Sequence, residues 1–395
     1  MKRIIGLVAL TLILAGAGSA RVEAKTVKVG LIMPFSGEFA EWGAETKGGV
    51  EVYQHLHGDS VNGNKIEVLY RDEGGINPSR SRQLTTELIL RDHVKFLTGY
   101  VFSPDALAIA DIITQAKVPT IITNAATGFI TRKSPYFTRV SFTLQQESAP
   151  LGTWAATHGI KTVDAVIANY VAGEDSLHGF SKTFEAHGGK ILQVIKYPVT
   201  VADISPFYER VLQDKPNAVF IFGTGGANTK IMVGAWAQRL KPAGIRFIGP
   251  LQLQETDLPG IGDGAIGVIQ TAHYVAHVGT PQNKSLWAEW MKLYGKNPSS
   301  VPNMATVSAY DAMDLVYRAV AKFGPNITGD QAINFYKGMK VNSPRGTFTI
   351  DPKTRDIVQN IYVAKTEKVH GKLENVVIDT FKNVKDPWKE EHPIK

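Results

Sequence analysis

The stretch FLTGYVFSPDALAIADIITQAKVPTIITNAATG, residues 96–128, limits the possible folds more than any other part of the chain. Residues 96–99 form an apolar run closed by a glycine. Ser103-Pro104-Asp105 then opens a helix whose apolar residues recur at Leu107, Ile109, Ala110, Ile113 and Ala116. Residues 118–123 are rich in β-formers and run into the small and polar residues 124–128. Strand, helix and strand in this spacing make a βαβ unit, and its crossover should be right-handed because a twisted parallel sheet accepts a helix only that way.

In such a unit both strand ends and the helix start meet on one sheet edge, where open α/β folds take their ligands. Ser103 is placed as an N-cap, Pro104 at the first helical position and Asp105 in the first turn. Free N–H groups and the helix dipole can hold a carboxylate there, and Thr127 could add a hydroxyl from the next strand end. The alternative is that Ser-Pro-Asp simply caps its helix, which needs no ligand.

Residues 1–24 read as a secretory leader. Lys2 and Arg3 start it, residues 4–17 are mostly apolar, and Val22-Glu23-Ala24 fits a cleavage site before Lys25, with Gly18-Ser19-Ala20 as a weaker one. The apolar run is shorter than the roughly 20 residues a membrane span needs. No cysteine lies near the site for lipid attachment, so an exported, unanchored protein is expected. The 395 residues contain no cysteine at all, which excludes disulfides and thiolate sites and leaves stability to packing. The net charge of +7 includes three basic residues and one acidic residue of the leader, so the rest carries +5. These charges are dispersed, with no basic stripe interleaved with aromatics, so no nucleic-acid partner is expected.

A chain this long suggests two lobes. Strands at 27–33, 66–72 and 136–140 and helices at 42–57 and 78–91 surround the central unit. The same alternation restarts with helices at 148–158, 174–187, 205–214 and 227–240. The strands between and after them lie at 163–169, 191–197, 218–222, 245–249 and 268–271. Helices at 287–294, 305–322 and 331–339 and strands at 347–350, 358–365 and 376–381 complete the chain. The reading is α/β, with two doubly wound parallel-sheet lobes that share the chain through several crossings.

Enzyme signatures are missing: the chain has neither H-E-x-x-H nor G-x-S-x-G. His55 and His57 sit at i and i+2 on a helix and face different sides, so no metal is expected. Gly223-Thr224-Gly225-Gly226 looks like a phosphate loop but lacks the Lys-Ser/Thr of a P-loop and the third glycine of a dinucleotide fingerprint, where Asn228 stands. A tight turn at a cleft edge is the better reading. Glu174-Asp175 suits a helix start. No cofactor is expected.

The ordered set VKVGLIMPFSGEFAEWG, SPDALAIADIITQAKVPTIITNAATG, NYVAGEDSLHGF, SAYDAM and RGTFTIDPKTR resembles the branched-chain amino-acid-type solute-binding proteins of ABC transporters, over about residues 25–365. The resemblance implies a type I periplasmic-binding fold, with lobes 25–145 plus 273–348 and 146–272 plus 349–395 joined by three crossings. It further implies a monomer that closes on a ligand and hands it to a membrane permease. In that family's pocket Ser103 matches the serine that holds a ligand carboxylate, and Ala125 and Thr127 complete that site. Trp42 stands for an aromatic wall, and Tyr170 matches a tyrosine of members that bind aromatic compounds. Gly225 and Gly226 face the cleft from the other lobe. Phe102, Phe39 and Tyr274 are further candidate surfaces, the last two equally compatible with core packing. Where amino-acid binders carry a glutamate after the Gly-Pro of IGPLQ, this chain has Leu251. A buried ammonium without a counter-charge costs several kcal/mol, which favours an aromatic or 2-oxo carboxylate without an amino group. Glu255 is near enough in sequence to supply the charge, so an amino-acid ligand stays open, as does a role as a sensing subunit for a membrane receptor.

Overall fold

A computed structural model describes residues 25–250, 253–296 and 301–393; the leader and Leu251 lie outside the described residues. Two sheets organise the molecule. The first has the strand order Ser60–Val61, Asn64–Asp72, Thr26–Met33, Phe96–Gly99, Thr120–Ile122, Phe137–Arg139, parallel throughout except for the two-residue Ser60–Val61 hairpin edge. Val27, Val29, Leu31, Ile32 and Met33 are all buried. Unbroken burial, instead of alternation, is what a parallel strand covered by helices on both faces requires.

The second sheet repeats this build with Lys190–Tyr197, Thr162–Ala168, Ala218–Phe222, Arg246–Pro250 and Ile269–Ala272, all parallel. It then continues antiparallel through Ile357–Val369, which pairs with Ile269–Ala272, Gly346–Ile350 and Lys372–Val384. Each sheet has its own apolar core, one around Leu31, Phe96 and Ile121, the other around Val166, Phe220 and Phe247. Strands Lys340–Ser343 and Gly346–Ile350 bond to the second sheet, yet Val341 and Phe348 pack into the first core. Among the described residues no helix is long and apolar enough to cross a membrane.

Several elements differ from the sequence expectation. The helix after Ser103 breaks at Ile109 into Ser103–Ala108 and Ala110–Ala116. The helix expected from 148 begins at Leu144, because the Thr143 hydroxyl accepts the Gln146 N–H and so caps it four residues earlier. The terminal hairpin is far longer than its apolar residues suggest. His370 and Gly371 both adopt positive φ, which suits a two-residue turn between right-twisted strands. That turn extends pairing through the charged stretch 366–374.

The chain crosses between the sheets three times, and buried polar groups lace the crossings together. The Ser141 carbonyl accepts from Arg345 Nη1 at 3.1 Å and from Gln359 Nε2 at 2.7 Å. Arg345 also pairs with Asp311 at 2.7 Å. His273 Nδ1 hydrogen-bonds Glu147 Oε1 at 3.0 Å while its ring stacks on Phe142. Arg139, at the end of the first sheet's last strand, reaches Asp356 at 3.3 Å.

Candidate functional site

Strand ends of both sheets open onto a cleft with about 480 Å³ of empty space. On the first-sheet side, Gly99 turns the chain with a positive φ, where a side chain would collide with the Ile32 carbonyl. Tyr100 follows, also with positive φ. This tight exit brings Val101, Phe102 and Ser103 to the cleft wall. Phe102, extended, is the residue before the helix, and Ser103 is its first residue. The Ser103 hydroxyl therefore does not cap its own helix, as the sequence suggested. It accepts the Thr127 N–H at 3.2 Å, which leaves its own hydrogen available to a ligand.

Trp42 reaches the cleft from the helix Ala40–His57. Its side chain is buried, yet its indole Nε1–H has no hydrogen-bond partner. The ring lies against Gly225 on the opposite side, where an added Cβ would come within 2.7 Å of it. Gly225 thus serves two needs, a positive φ and close approach. Tyr170 precedes the helix Val171–Ala186, its ring 6.2 Å from Phe222. Burial pushes its phenol up, so the hydroxyl stays protonated.

Phe142, Leu144 and Met304 close the back, and Thr224 and Pro250 complete the second-sheet wall. Among the described lining residues none carries a charge. The site can offer flat apolar faces and neutral donors, and nothing in that wall neutralises an ammonium group.

Five sequence candidates, Trp42, Phe102, Ser103, Tyr170 and Gly225, are brought together in this cleft. Ala125 is buried just behind it, its N–H bonded to the Tyr100 carbonyl. The Thr127 hydroxyl is already committed, donating to Asp175 Oδ2 at 2.8 Å, and Gly128 N–H donates to the same oxygen. Phe39 packs edge-on against Phe102 at 4.8 Å and borders a separate hollow with Glu38 and Thr200. Tyr274 lines a smaller chamber, its hydroxyl donating to Asn283 at 2.9 Å. Glu255 lines that chamber too, away from the main cleft, and burial pushes its carboxyl up to about 7.

The lining residues that sequence reasoning missed divide into two kinds. Phe222 ends a strand on the ligand edge and Thr224 lies in the loop just after it, so both could have been found from that rule. Phe142, Leu144 and Met304 come from crossings and a helix start, where no local pattern points inward. Among the described residues no group of three acidic or histidine side chains could hold a metal.

A fold of two parallel sheets with a cleft at their facing edges defines a binding protein of the periplasmic class. The chain belongs to the periplasmic binding protein family, whose pattern matches residues 26–371. It is 37% identical over 390 residues to the Leu/Ile/Val-binding protein homolog 6 of Brucella melitensis biotype 1, which covers 98% of this chain and 99% of that one. It is 42% identical to a solute-binding protein of an ABC transporter from Rhodopseudomonas palustris BisB5, solved with 3,4-dihydroxybenzoic acid. The TM-score is 0.88, and the match covers 92% of this chain and 99% of that one. A second such protein, from R. palustris HaA2 and solved with p-hydroxybenzoic acid, is 38% identical with a TM-score of 0.89, covering 92% and 98%. The chain is thus a solute-binding receptor of the ABC-transporter type.

Proposed function

We propose that the protein captures a small aromatic carboxylate outside the cytoplasm and delivers it to the membrane permease of an ABC importer. The observation that carries this reading is the cleft's make-up, aromatic walls from Trp42, Tyr170 and Phe222 with no charged side chain among the described lining residues. An α-amino acid would bring an ammonium group into that wall unpaired, at a cost of several kcal/mol. Glu255, the one acid that sequence offered as its partner, lies in the neighbouring chamber. The aromatic acids held by the two R. palustris relatives support the same class of ligand. In this reading Ser103 and Trp42 donate to the ligand's oxygens and the aromatic rings sandwich its ring. The lobes, 25–145 with 273–348 and 146–272 with 349–395, close about the three crossings. The protein acts as a monomer, binds no nucleic acid, catalyses nothing, and is exported by cleavage after Ala24.

A thermal-shift screen tests it. A ligand at a hundred times its Kd should stabilise by about 2.7 kcal/mol through mass action. Benzoate and hydroxybenzoates are expected to raise Tm and leucine, isoleucine and valine to leave it unchanged. A shift with leucine and none with the aromatic acids would overturn the reading.

A further inference from the structure

Met304 lines the ligand cleft, and it also lines the smaller chamber beside it. The two spaces are neighbours with this side chain between them. The chamber is small, with room for about one water molecule as it stands, and has a mixed wall in which Ala272, Tyr274 and Val275 are apolar. Its amides are satisfied. Gln270 exchanges hydrogen bonds with both the N–H and the carbonyl of Leu253, and Asn375 donates to that carbonyl while accepting from Thr366. Glu255 is different, because its Oε1 is buried without a hydrogen bond, while Asn375 and nearby backbone N–H groups act on the rest of its carboxyl. A chamber of mixed wall with one unmatched acceptor, enlarged where the Met304 side chain is cut back, suits a short chain that ends in a hydrogen-bond donor.

The partition itself is held firmly at its backbone. Met304 begins the helix Met304–Phe323, capped by Asn303, whose Oδ1 accepts from the N–H groups of Ala305 and Thr306. The Met304 N–H donates at 3.2 Å to Gln254 Oε1, which follows the second sheet's strand Arg246–Pro250. A contact between the two sides of the cleft therefore sets where the side chain stands. Among the described residues Met304 is the one that lines both spaces, and beyond its backbone it is an unbranched thioether that a shorter side chain would cut back.

We propose that Met304 sets the length of ligand the cleft accepts, by walling off a chamber whose free hydrogen-bonding group is Glu255. The inference rests on the reading of the cleft as an aromatic-acid site.

The experiment is a set of calorimetric titrations of the full-length exported protein with benzoate, 4-propylbenzoate and 4-(3-aminopropyl)benzoate. The wild type should bind benzoate and disfavour both extended acids by at least about tenfold, the low end of what a pocket exacts for one misfit methylene. Met304→Ala should erase most of that discrimination, and Met304→Val, a smaller cut, should erase part of it. Adding Glu255→Gln to Met304→Ala should weaken the amine-ended acid by about tenfold, as losing a charged partner does, and leave the propyl acid alone. Wild-type affinity for the propyl acid equal to that for benzoate would overturn the proposal. So would equal losses for all three acids in both Met304 variants, since Met304 would then be only a wall of the cleft. An absence of aromatic-acid binding by the wild type would overturn the functional reading first and the length limit with it.

Discussion

The ligand cleft and the crossings behind it lie only a few residues apart along the chain, yet they treat charge in opposite ways. The described walls of the cleft hold no charged side chain. The crossings bury the charges of Arg345 with Asp311, Arg139 with Asp356, and Lys389 with Asp356 and Asp386, beside the ionisable but uncharged pair of Glu147 and His273. Charges at the crossings never leave, so their ionic partners are built in, even though atoms such as Arg345 Nε and Asp311 Oδ1 are left without a hydrogen bond. Burial pushes the Glu147 carboxyl up and the His273 imidazole down, so that pair rests as neutral hydrogen-bonding partners. In the cleft the charge arrives with the ligand and departs with it. A fixed counter-charge there would be stranded at each release, whereas neutral donors lose much less when the site empties.

Breaking the charged region should give the largest effect. Arg345→Ala strands Asp311 and removes the donors to Ser141 and Gln359, which tie two crossings together. Removing one partner of a buried pair typically costs about 4 kcal/mol, and the midpoint of urea unfolding should fall accordingly. Adding Asp311→Asn should restore part of the loss. A change below about 1 kcal/mol would show that these charges are not what holds the crossings.

The same contrast explains how much could be read from the sequence. Residues 29–33 and the strand Ala218–Phe222 are continuous buried runs, and the order of such strands with the helices marks the doubly wound plan. Ser103 was legible from the plan itself, because it stands where a strand end meets a helix start on the ligand edge, whereas Trp42, Tyr170 and Gly225 were reached through the family resemblance. The crossings were not legible. Arg345, Glu147 and His273 look like ordinary surface residues until segments more than a hundred positions apart meet. Thr127 misled for a related reason, since nothing local reveals that Asp175 takes its hydroxyl.

One acid behind the cleft blurs the distinction and sharpens it when tested. Asp105 lies in the first turn after Ser103, fully buried, with neither carboxyl oxygen hydrogen-bonded by a side chain or free of burial. Burial, helped by the nearby Glu73, pushes it up to about 8 from 3.8. Between those values the folded protein holds a proton that the unfolded chain has lost. This contribution to stability is therefore present at low pH and disappears as pH rises from about 4 to about 8. Asp105→Asn removes the titration, so the variant should gain on the order of 5 kcal/mol over the wild type at pH 9 and nearly nothing at pH 4. Parallel pH–stability curves for the two proteins would show that Asp105 stays ionised, and that the interior beside the cleft tolerates a charge after all.

The smallest effects separate the donors inside the cleft from one another. Ser103→Ala should weaken aromatic-acid binding by about 2 kcal/mol, the range for a hydrogen bond to a charged group. It should also lower the stability of the empty protein, because the Thr127 N–H loses its acceptor. Trp42→Phe is the cleaner cut. The indole N–H has no protein partner to lose, so the empty protein should lose only what the smaller buried ring costs, about 1–2 kcal/mol, while affinity falls by about 1 kcal/mol more. Binding lost beyond what the packing change explains, with no further loss from a broken protein hydrogen bond, is what a donor kept free for a ligand must show. Unchanged affinity in Trp42→Phe would mean that the N–H faces packed side chains and that the ligand's oxygens are met by Ser103 and backbone amides alone.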